Sequence, residues 1–364
     1  MNTNTRQLHD LGQRLWLDNI SRDLLNSGTL ARYIAELSIT GLTSNPTIFE
    51  KAIGGGALYD ASIAALEAQG LSDEEVFFRL ALQDLTRAAD LFRPMFDASD
   101  GRDGWVSLEV SPLLAHDTAG TVEAAVQLHA LAARPNLFIK IPGTPEGVPA
   151  IEQAIFEGVP INVTLLFSQA AWLAAAQAYL RGIERRIEAG RTPRVESVAS
   201  MFVSRWDVAV AKDVPAALHN RLGIAVAMQT YRACGELFAS ARWQRLAAAG
   251  ARPQRLLWAS TGTKDPNADD TVYIEALAAA QTVNTIPEKT LLAFADHGRV
   301  GAVLPADGGA SQAVLNEFKR AGVATDELAA RLQQEGVQAF ATSWSGLMAR
   351  IREKRLQAAA SRPA

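Results

Sequence analysis

Residues 137–143 read Leu-Phe-Ile-Lys-Ile-Pro-Gly. An apolar run this short, closed by Pro-Gly, reads as a buried strand. Side chains alternate across a strand, so Leu137, Ile139 and Ile141 form one apolar face and leave Phe138 and Lys140 on the other. A charged residue in the middle of such a run needs a special surrounding, and the rest of the chain defines it.

Runs of the same kind recur at Leu15–Ile20, Ser38–Thr43, Trp105–Ser111, Pro160–Leu166, Ser197–Val203, Arg255–Thr261 and Gln281–Ile286, about eight in all with Leu137–Ile141. Helical patterns rich in Ala, Leu, Glu and Arg lie between them: Asp23–Leu37, Asp73–Phe92, Val122–Ala133, Glu146–Phe156, Gln169–Ala189, Arg221–Ala248 and Thr271–Ala280. Strand followed by helix, repeated, implies a parallel sheet, and eight repeats predict a closed (β/α)8 TIM barrel of the α/β class. A doubly wound open sheet is the alternative. It usually carries a Gly-x-Gly-x-x-Gly turn after an early strand, whereas Gly54-Gly55-Gly56 follows no strand and lacks that spacing. No linker or break in composition divides residues 1–364, so a single barrel domain is expected. Within it, about 310–364 forms a C-terminal helical extension built on Thr325–Ala360, and Ala358–Ala364 is expected to fray.

Composition excludes several classes of function. With 48% hydrophobic and 20% charged residues, the 364-residue chain has the balance of a globular protein. Lys and Arg number 35 against 39 Asp and Glu, a formal net charge of −4, and no basic window interleaved with aromatics points to nucleic acid. Cys234 is the one cysteine, so neither an internal disulfide nor a thiolate zinc site is available within the chain. The polar N-terminus and the absence of a roughly 18-residue apolar stretch predict no signal peptide and no membrane span, hence a cytoplasmic protein. The sequon Asn162-Val163-Thr164 sits inside an apolar run and reads as coincidence.

In a barrel one strand face meets the helices and the other fills the lumen. The parity that turns Lys140 inward also turns inward Trp16 and Asp18, Ser107, Glu109 and Ser111, Asn162 and Thr164, and Ser200 and Phe202. Thr43 and Asn45 end the second run and Ser260 the seventh. Polar groups at the C-terminal ends of many strands are the expected mark of a barrel active site.

A desolvated lysine favours its neutral amine, the nucleophile that attacks a carbonyl, although Lys140 also suits snorkelling or pairing with a buried acid. Asp18 and Glu109 suit proton transfer, and equally a structural ion pair with Lys140. Asn45 and Asn162 fit sugar hydroxyls or, alternatively, caps of a loop or helix. Trp16 and Phe202 fill the lumen or wall a pocket. Arg205 and Lys264, in the loops after the sixth and seventh runs, are candidate phosphate cations, with solvated surface charge as the plainer reading. His9, His116, His129, His219 and His297 show no metal-ligand spacing, and Gly-x-Ser-x-Gly is absent. A metal held by Asp18 and Glu109 in an isomerase stays open beside amine catalysis, as does a silent scaffold barrel.

Six segments in this order resemble the transaldolases, particularly the longer bacterial form, over nearly the whole chain. They are Leu-Trp-Leu-Asp-Asn at 15–19, Gly-Leu-Thr-Ser-Asn-Pro-Thr at 41–47, Ser-Leu-Glu-Val-Ser-Pro at 107–112, Ile-Lys-Ile-Pro-Gly-Thr at 139–144, Ile-Asn-Val-Thr-Leu-Leu-Phe-Ser at 161–168 and Ser-Met-Phe-Val-Ser-Arg-Trp-Asp at 200–207. The resemblance implies transfer of a dihydroxyacetone unit from sedoheptulose 7-phosphate or fructose 6-phosphate to glyceraldehyde 3-phosphate or erythrose 4-phosphate. It places that reaction in the non-oxidative pentose phosphate pathway, with no cofactor and no metal. By position it implies Lys140 as the Schiff-base lysine and Asp18 as the acid/base at the donor C4 hydroxyl. Glu109 and Thr164 match the pair that orients a catalytic water, Asn45 and Asn162 match donor-hydroxyl contacts, and Ser200, Arg205 and Ser260 match substrate or phosphate contacts. Many members read Ala-Ser-Phe-Arg after the seventh strand, where this chain reads Ala259-Ser260-Thr261-Gly262-Thr263-Lys264, so Lys264 is assigned the place of that arginine. Relatives specialised for direct aldol cleavage carry tyrosine at the position of Phe202, so phenylalanine favours group transfer over release of free dihydroxyacetone. The expected partners are phosphorylated sugars alone, in a monomer or a homodimer.

Overall fold

The computed structural model describes residues 1–360. All eight predicted strands form, and they close in chain order into one parallel barrel. They are β1 (Arg14–Leu17), β2 (Ile39–Thr43), β3 (Trp105–Glu109), β4 (Leu137–Pro142), β5 (Ile161–Leu166), β6 (Ser197–Phe202), β7 (Arg255–Ala259) and β8 (Val283–Ile286). β8 pairs with β1 to close the ring, and Asp18, one residue beyond β1, still donates its N–H to the Ile286 carbonyl at 2.8 Å.

The lumen is filled in layers. At the N-terminal end Asp103 binds Arg14 at 2.8 Å and Arg255 at 3.3 Å. Above this lies an aromatic plug: Trp105 stacks on Phe138 with centroids 4.0 Å apart, and Trp16 lies 6.0 Å from Phe138. Gly41 makes room for it, because a Cβ there would stand 2.6 Å from the Trp105 carbonyl oxygen and 2.7 Å from Trp16 Nε1. The plug side chains are buried, and the polar site residues lie above it toward the C-terminal mouth. Register then sets their order: Lys140 on β4 lies beside Glu109 on β3 and Asn162 on β5.

Several expected helices have different bounds. Asp23–Leu37 is two helices, Arg22–Asn26 and Thr29–Glu36, because Gly28 between them adopts φ +75°. Arg221–Ala248 breaks at Ser240, whose extended backbone ends Leu222–Ala239 and whose hydroxyl caps Ala241–Ala248 through the Trp243 N–H. Thr271–Ala280 shrinks to Val272–Ala276, and Asp73–Phe92 runs on through Pro94 to Ala98. Helices Thr3–Leu11, Pro46–Gly54, Asp60–Glu67, Ser204–Val210 and Glu288–His297 were not expected, being short or, as at Pro46, masked by a proline that takes the first helical position, while Ser311–Arg320 falls within the expected helical extension.

The C-terminal helix Thr325–Ala360 packs against helices Pro46–Gly54, Asp60–Glu67 and Asp73–Ala98 and reaches β5. Thr47 and Ser343 share a 2.7 Å hydrogen bond across the first of these contacts. Ala358–Ala360 are helical rather than frayed, and residues 361–364 of that expectation lie outside the described residues. Among the described residues no helix is long and apolar enough to cross a membrane.

Candidate active site

The barrel mouth holds a pocket lined by Asp18, Thr43, Asn45, Lys140, Thr164, Ser200, Phe202, Arg205, Ser260 and Lys264, together with Ala259, Gly262, Thr285, Pro287 and Phe340. Nine of the sequence-predicted site residues meet in its wall. The other two, Glu109 and Asn162, stand immediately behind it.

Lys140 Nζ donates to Glu109 Oε2 at 3.0 Å and to the Ser44 carbonyl at 2.9 Å, with both side chains of the ion pair buried. Burial pushes the Glu109 carboxyl above its ordinary range, and the Lys140 charge pulls against it. Asp18 is pushed up by burial too; Lys140, the 2.7 Å hydrogen bond from Thr43 and the Lys264 charge oppose the shift. Two carboxyls whose ionisation is opposed by desolvation therefore flank one amine. That arrangement can trade protons at neutral pH, which a solvated carboxylate does poorly.

Asn162 is fully buried, donating to Ser107 Oγ at 3.2 Å and accepting from Ser200 Oγ at 2.8 Å. Its amide thus fixes the Ser200 hydroxyl in the wall. Asn45 Oδ1 accepts the Ile48 N–H at 3.0 Å, capping the helix after β2 and turning the residue toward the pocket. The cap and the pocket position coexist. Thr164 Oγ1 is buried and has no hydrogen-bond partner, the one wall hydroxyl in that state. Unlike Phe202, Trp16 is fully buried in the plug and is a lumen filler.

Two backbone distortions aim these groups. Between Val163 and Leu166 the β5–β6 register slips, and Leu165 adopts φ +58°. Such bulges re-aim side chains at barrel rims. Ser260 adopts φ +56° just past β7; its carbonyl accepts the Ser204 N–H, and the two hydroxyls lie 2.9 Å apart. Ser204 opens the helix Ser204–Val210 that carries Arg205. Asp207 on that helix accepts the N–H groups of Leu222 and Gly223 and the Tyr273 hydroxyl, which anchors the Arg205 helix to its successor. Burial pushes Asp207 up to about 6.

Sequence alone did not bring forward Thr285 on the eighth strand or the residues supplied by the C-terminal helix. Thr285 on β8 hydrogen-bonds Thr43 at 2.6 Å and so supports Asp18. From the C-terminal helix, Phe340 enters the wall and Gln333 Nε2 donates 3.0 Å bonds to the carbonyls of Gly143 and Leu165. Thr285 was findable by extending the parity argument to the eighth run; Phe340 and Gln333 left no mark, because apolar helical periodicity says nothing of where a helix docks. The converging Asp269, Asp270 and His297, the one such group among the described residues, are exposed and separate from the pocket lining, and neither Asp18 nor Glu109 joins a third ligand.

Fold and site together define a barrel enzyme with a buried amine set between carboxyls at the C-terminal mouth. A family model described as transaldolase/fructose-6-phosphate aldolase matches residues 15–351. The chain is 46% identical over 363 residues to the transaldolase of Thermobifida fusca, covering 97% of this chain and 99% of that one. It is 45% identical over 355 residues to the transaldolase of Thiobacillus denitrificans, covering 95% and 99%. The chain belongs to the transaldolase/fructose-6-phosphate aldolase family. It is an enzyme that transfers ketone residues.

Proposed function

We propose that the pocket moves a dihydroxyacetone unit between phosphorylated sugars through an imine on Lys140, with sedoheptulose 7-phosphate or fructose 6-phosphate as donor. Lys140 passes its proton to Glu109, and the neutral amine attacks the donor C2 carbonyl. Loss of water gives the protonated imine, an electron sink. Asp18 takes the C4 hydroxyl proton, the C3–C4 bond breaks, the aldose phosphate leaves, and the electron pair stays as an enamine on the three-carbon unit. An acceptor aldehyde, glyceraldehyde 3-phosphate or erythrose 4-phosphate, adds in the reverse sense, and water releases the new ketose. Glu109 and Thr164 hold that water; the free Thr164 hydroxyl supports the reading. Asn45 and the Asn162–Ser200 pair meet donor hydroxyls, and Arg205, Ser260 and Lys264 meet the phosphate.

The observation that carries this reading is the buried Lys140–Glu109 pair opening onto the pocket that also contains Asp18. Side chains of this chain supply every step, so neither cofactor nor metal enters. Residues 1–364 are read as one barrel domain with about 310–364 as its helical extension, working in the cytoplasm as a monomer or homodimer without nucleic acid or membrane. The test is mass spectrometry of chelator-treated enzyme incubated with fructose 6-phosphate and reduced with borohydride. A reduced three-carbon adduct on Lys140 that disappears when acceptor is supplied is expected. No adduct on any lysine overturns the mechanism, and steady release of free dihydroxyacetone assigns the chain to aldol cleavage instead.

A further inference from the structure

Arg205 is a partly buried cation with an unusual set of neighbours. Among the described residues its guanidinium has no hydrogen-bond partner; two aromatic faces and the helix around Gly336 crowd it, and the Glu335 and Glu109 charges act on it without forming an ion pair. Its Cζ lies 5.2 Å from the Phe202 ring centroid and 5.9 Å from that of Phe340. A Cβ at Gly336 would stand 3.2 Å from Arg205 Nη1 and 3.0 Å from Leu165 Cδ2. Gly336 lies in the interior of the helix Thr325–Ala360, where glycine weakens a helix relative to alanine. Its backbone conformation is not one that demands glycine, so close approach of the Leu165 side chain and of the guanidinium accounts for the residue. Gly336 and Phe340 are four residues apart and share one helix face.

We propose that Gly336 and Phe340 are positioning residues for Arg205, and that through it they set the preference for phosphorylated over unphosphorylated sugars. The proposal rests on Arg205 being a phosphate ligand. A guanidinium held by stacking keeps all five N–H donors free for an incoming dianion, while its rotamer freedom is already spent. Held by a carboxylate, those donors would be occupied and the charge cancelled. The C-terminal helix thus completes the phosphate site without contributing a cation to it.

The experiment measures kcat/KM for D-glyceraldehyde 3-phosphate and for D-glyceraldehyde as acceptors at saturating fructose 6-phosphate, with thermal melts, in the full-length enzyme. The variants are Gly336→Ala, Phe340→Leu, Phe340→Tyr and Arg205→Met. Gly336→Ala and Phe340→Leu are expected to lower the ratio of the two specificity constants by about fivefold or more, the size of a lost cation–π contact. The melt of Gly336→Ala sets the helix preference of alanine against the crowding of its Cβ, and the ratio of the two specificity constants, which a smaller folded fraction leaves unchanged, separates positioning from loss of structure. Phe340→Tyr keeps the ring and should keep the ratio within about twofold, a step too small to count as a lost contact. If Arg205→Met collapses the ratio while Gly336→Ala and Phe340→Leu preserve it, or if Phe340→Tyr fails as fully as Phe340→Leu, the proposal falls and the phosphate role of Arg205 stands. If Arg205→Met also preserves the ratio, the phosphate role itself falls.

Discussion

Lys140 Nζ and Glu109 Oε2 lie 3.0 Å apart, side by side on adjacent parallel strands and both buried. A lysine that must attack as a neutral amine needs somewhere to leave its proton, and Glu109, its carboxyl already pushed up by burial, is the partner in contact.

Glu109→Gln keeps the shape of that partner and removes its capacity to take the proton. Imine formation should slow by about 100-fold or more, the low end of what a positioned base contributes. The rate of appearance of the borohydride-trapped adduct measures this directly. A rate within a few-fold of wild type would leave Glu109 as a structural counter-ion only.

Asp18→Asn should separate activity from stability. The folded-state pKa of Asp18 is raised above its ordinary 3.8 chiefly by burial, so the folded chain keeps a proton that the unfolded chain gives up. Stability at this group therefore falls as pH rises from about 3.8 through the folded-state value, and Asn, which never ionises, escapes the fall. The melting temperature of Asp18→Asn minus that of wild type should grow more positive between pH 4 and pH 7.5. Transfer should meanwhile drop by about 10²-fold to 10⁴-fold. A difference in melting temperature that stays flat across this range would show that the carboxyl is not desolvated.

Gln333 spends both hydrogens of one amide on the Gly143 and Leu165 carbonyls, at the ends of the strands carrying Lys140 and Thr164. Leu165 holds a left-handed φ of +58°, a conformation that costs an ordinary residue about 1–3 kcal/mol and needs outside support. Gln333→Glu presents a carboxylate to two carbonyls and should lower kcat by about tenfold, with Thr164 misaimed by the relaxed bulge. KM for the donor phosphate ester should move less, because Gln333 hydrogen-bonds neither the helix Ser204–Val210 that carries Arg205 nor the loop after β7 that carries Lys264. Steady-state kinetics on soluble, folded variant checks this; equal loss in kcat and gain in KM would point to general loosening.

The contrast between Lys140 and Gln333 shows how far the sequence was legible. Alternation in five-residue strands puts a side chain inside or outside, and a barrel has one inside, so Asp18, Lys140, Thr164 and Ser200 could be assembled before any coordinates. Alternation does not say which inward groups spend themselves on each other, and Asn162 is occupied by Ser107 and Ser200. Gln333 meets Gly143 across 190 residues of chain. Its helix shows an apolar face, but the surface that face covers is decided by the docking of the whole helix. Gly28 and Ser240 broke expected helices for a local reason of the same kind, a single backbone angle that periodicity does not register.

Lys264 carries the last prediction, since it acts on two groups at once. It lines the pocket in the loop after β7, and its charge is one of those that hold the raised Asp18 carboxyl down. Removing it in Lys264→Ala should weaken the donor phosphate, raising KM for fructose 6-phosphate by roughly tenfold, the scale of a lost charge-assisted contact. The same change should let the Asp18 pKa rise. Asp18 acts as a base and must be ionised, so the acid limb of the pH–rate profile should move to higher pH in the variant. Donor saturation curves at several pH values read both effects from one set of data. An unchanged KM would take the phosphate away from Lys264, and an unmoved acid limb beside a raised KM would mean that its charge reaches the phosphate without reaching Asp18.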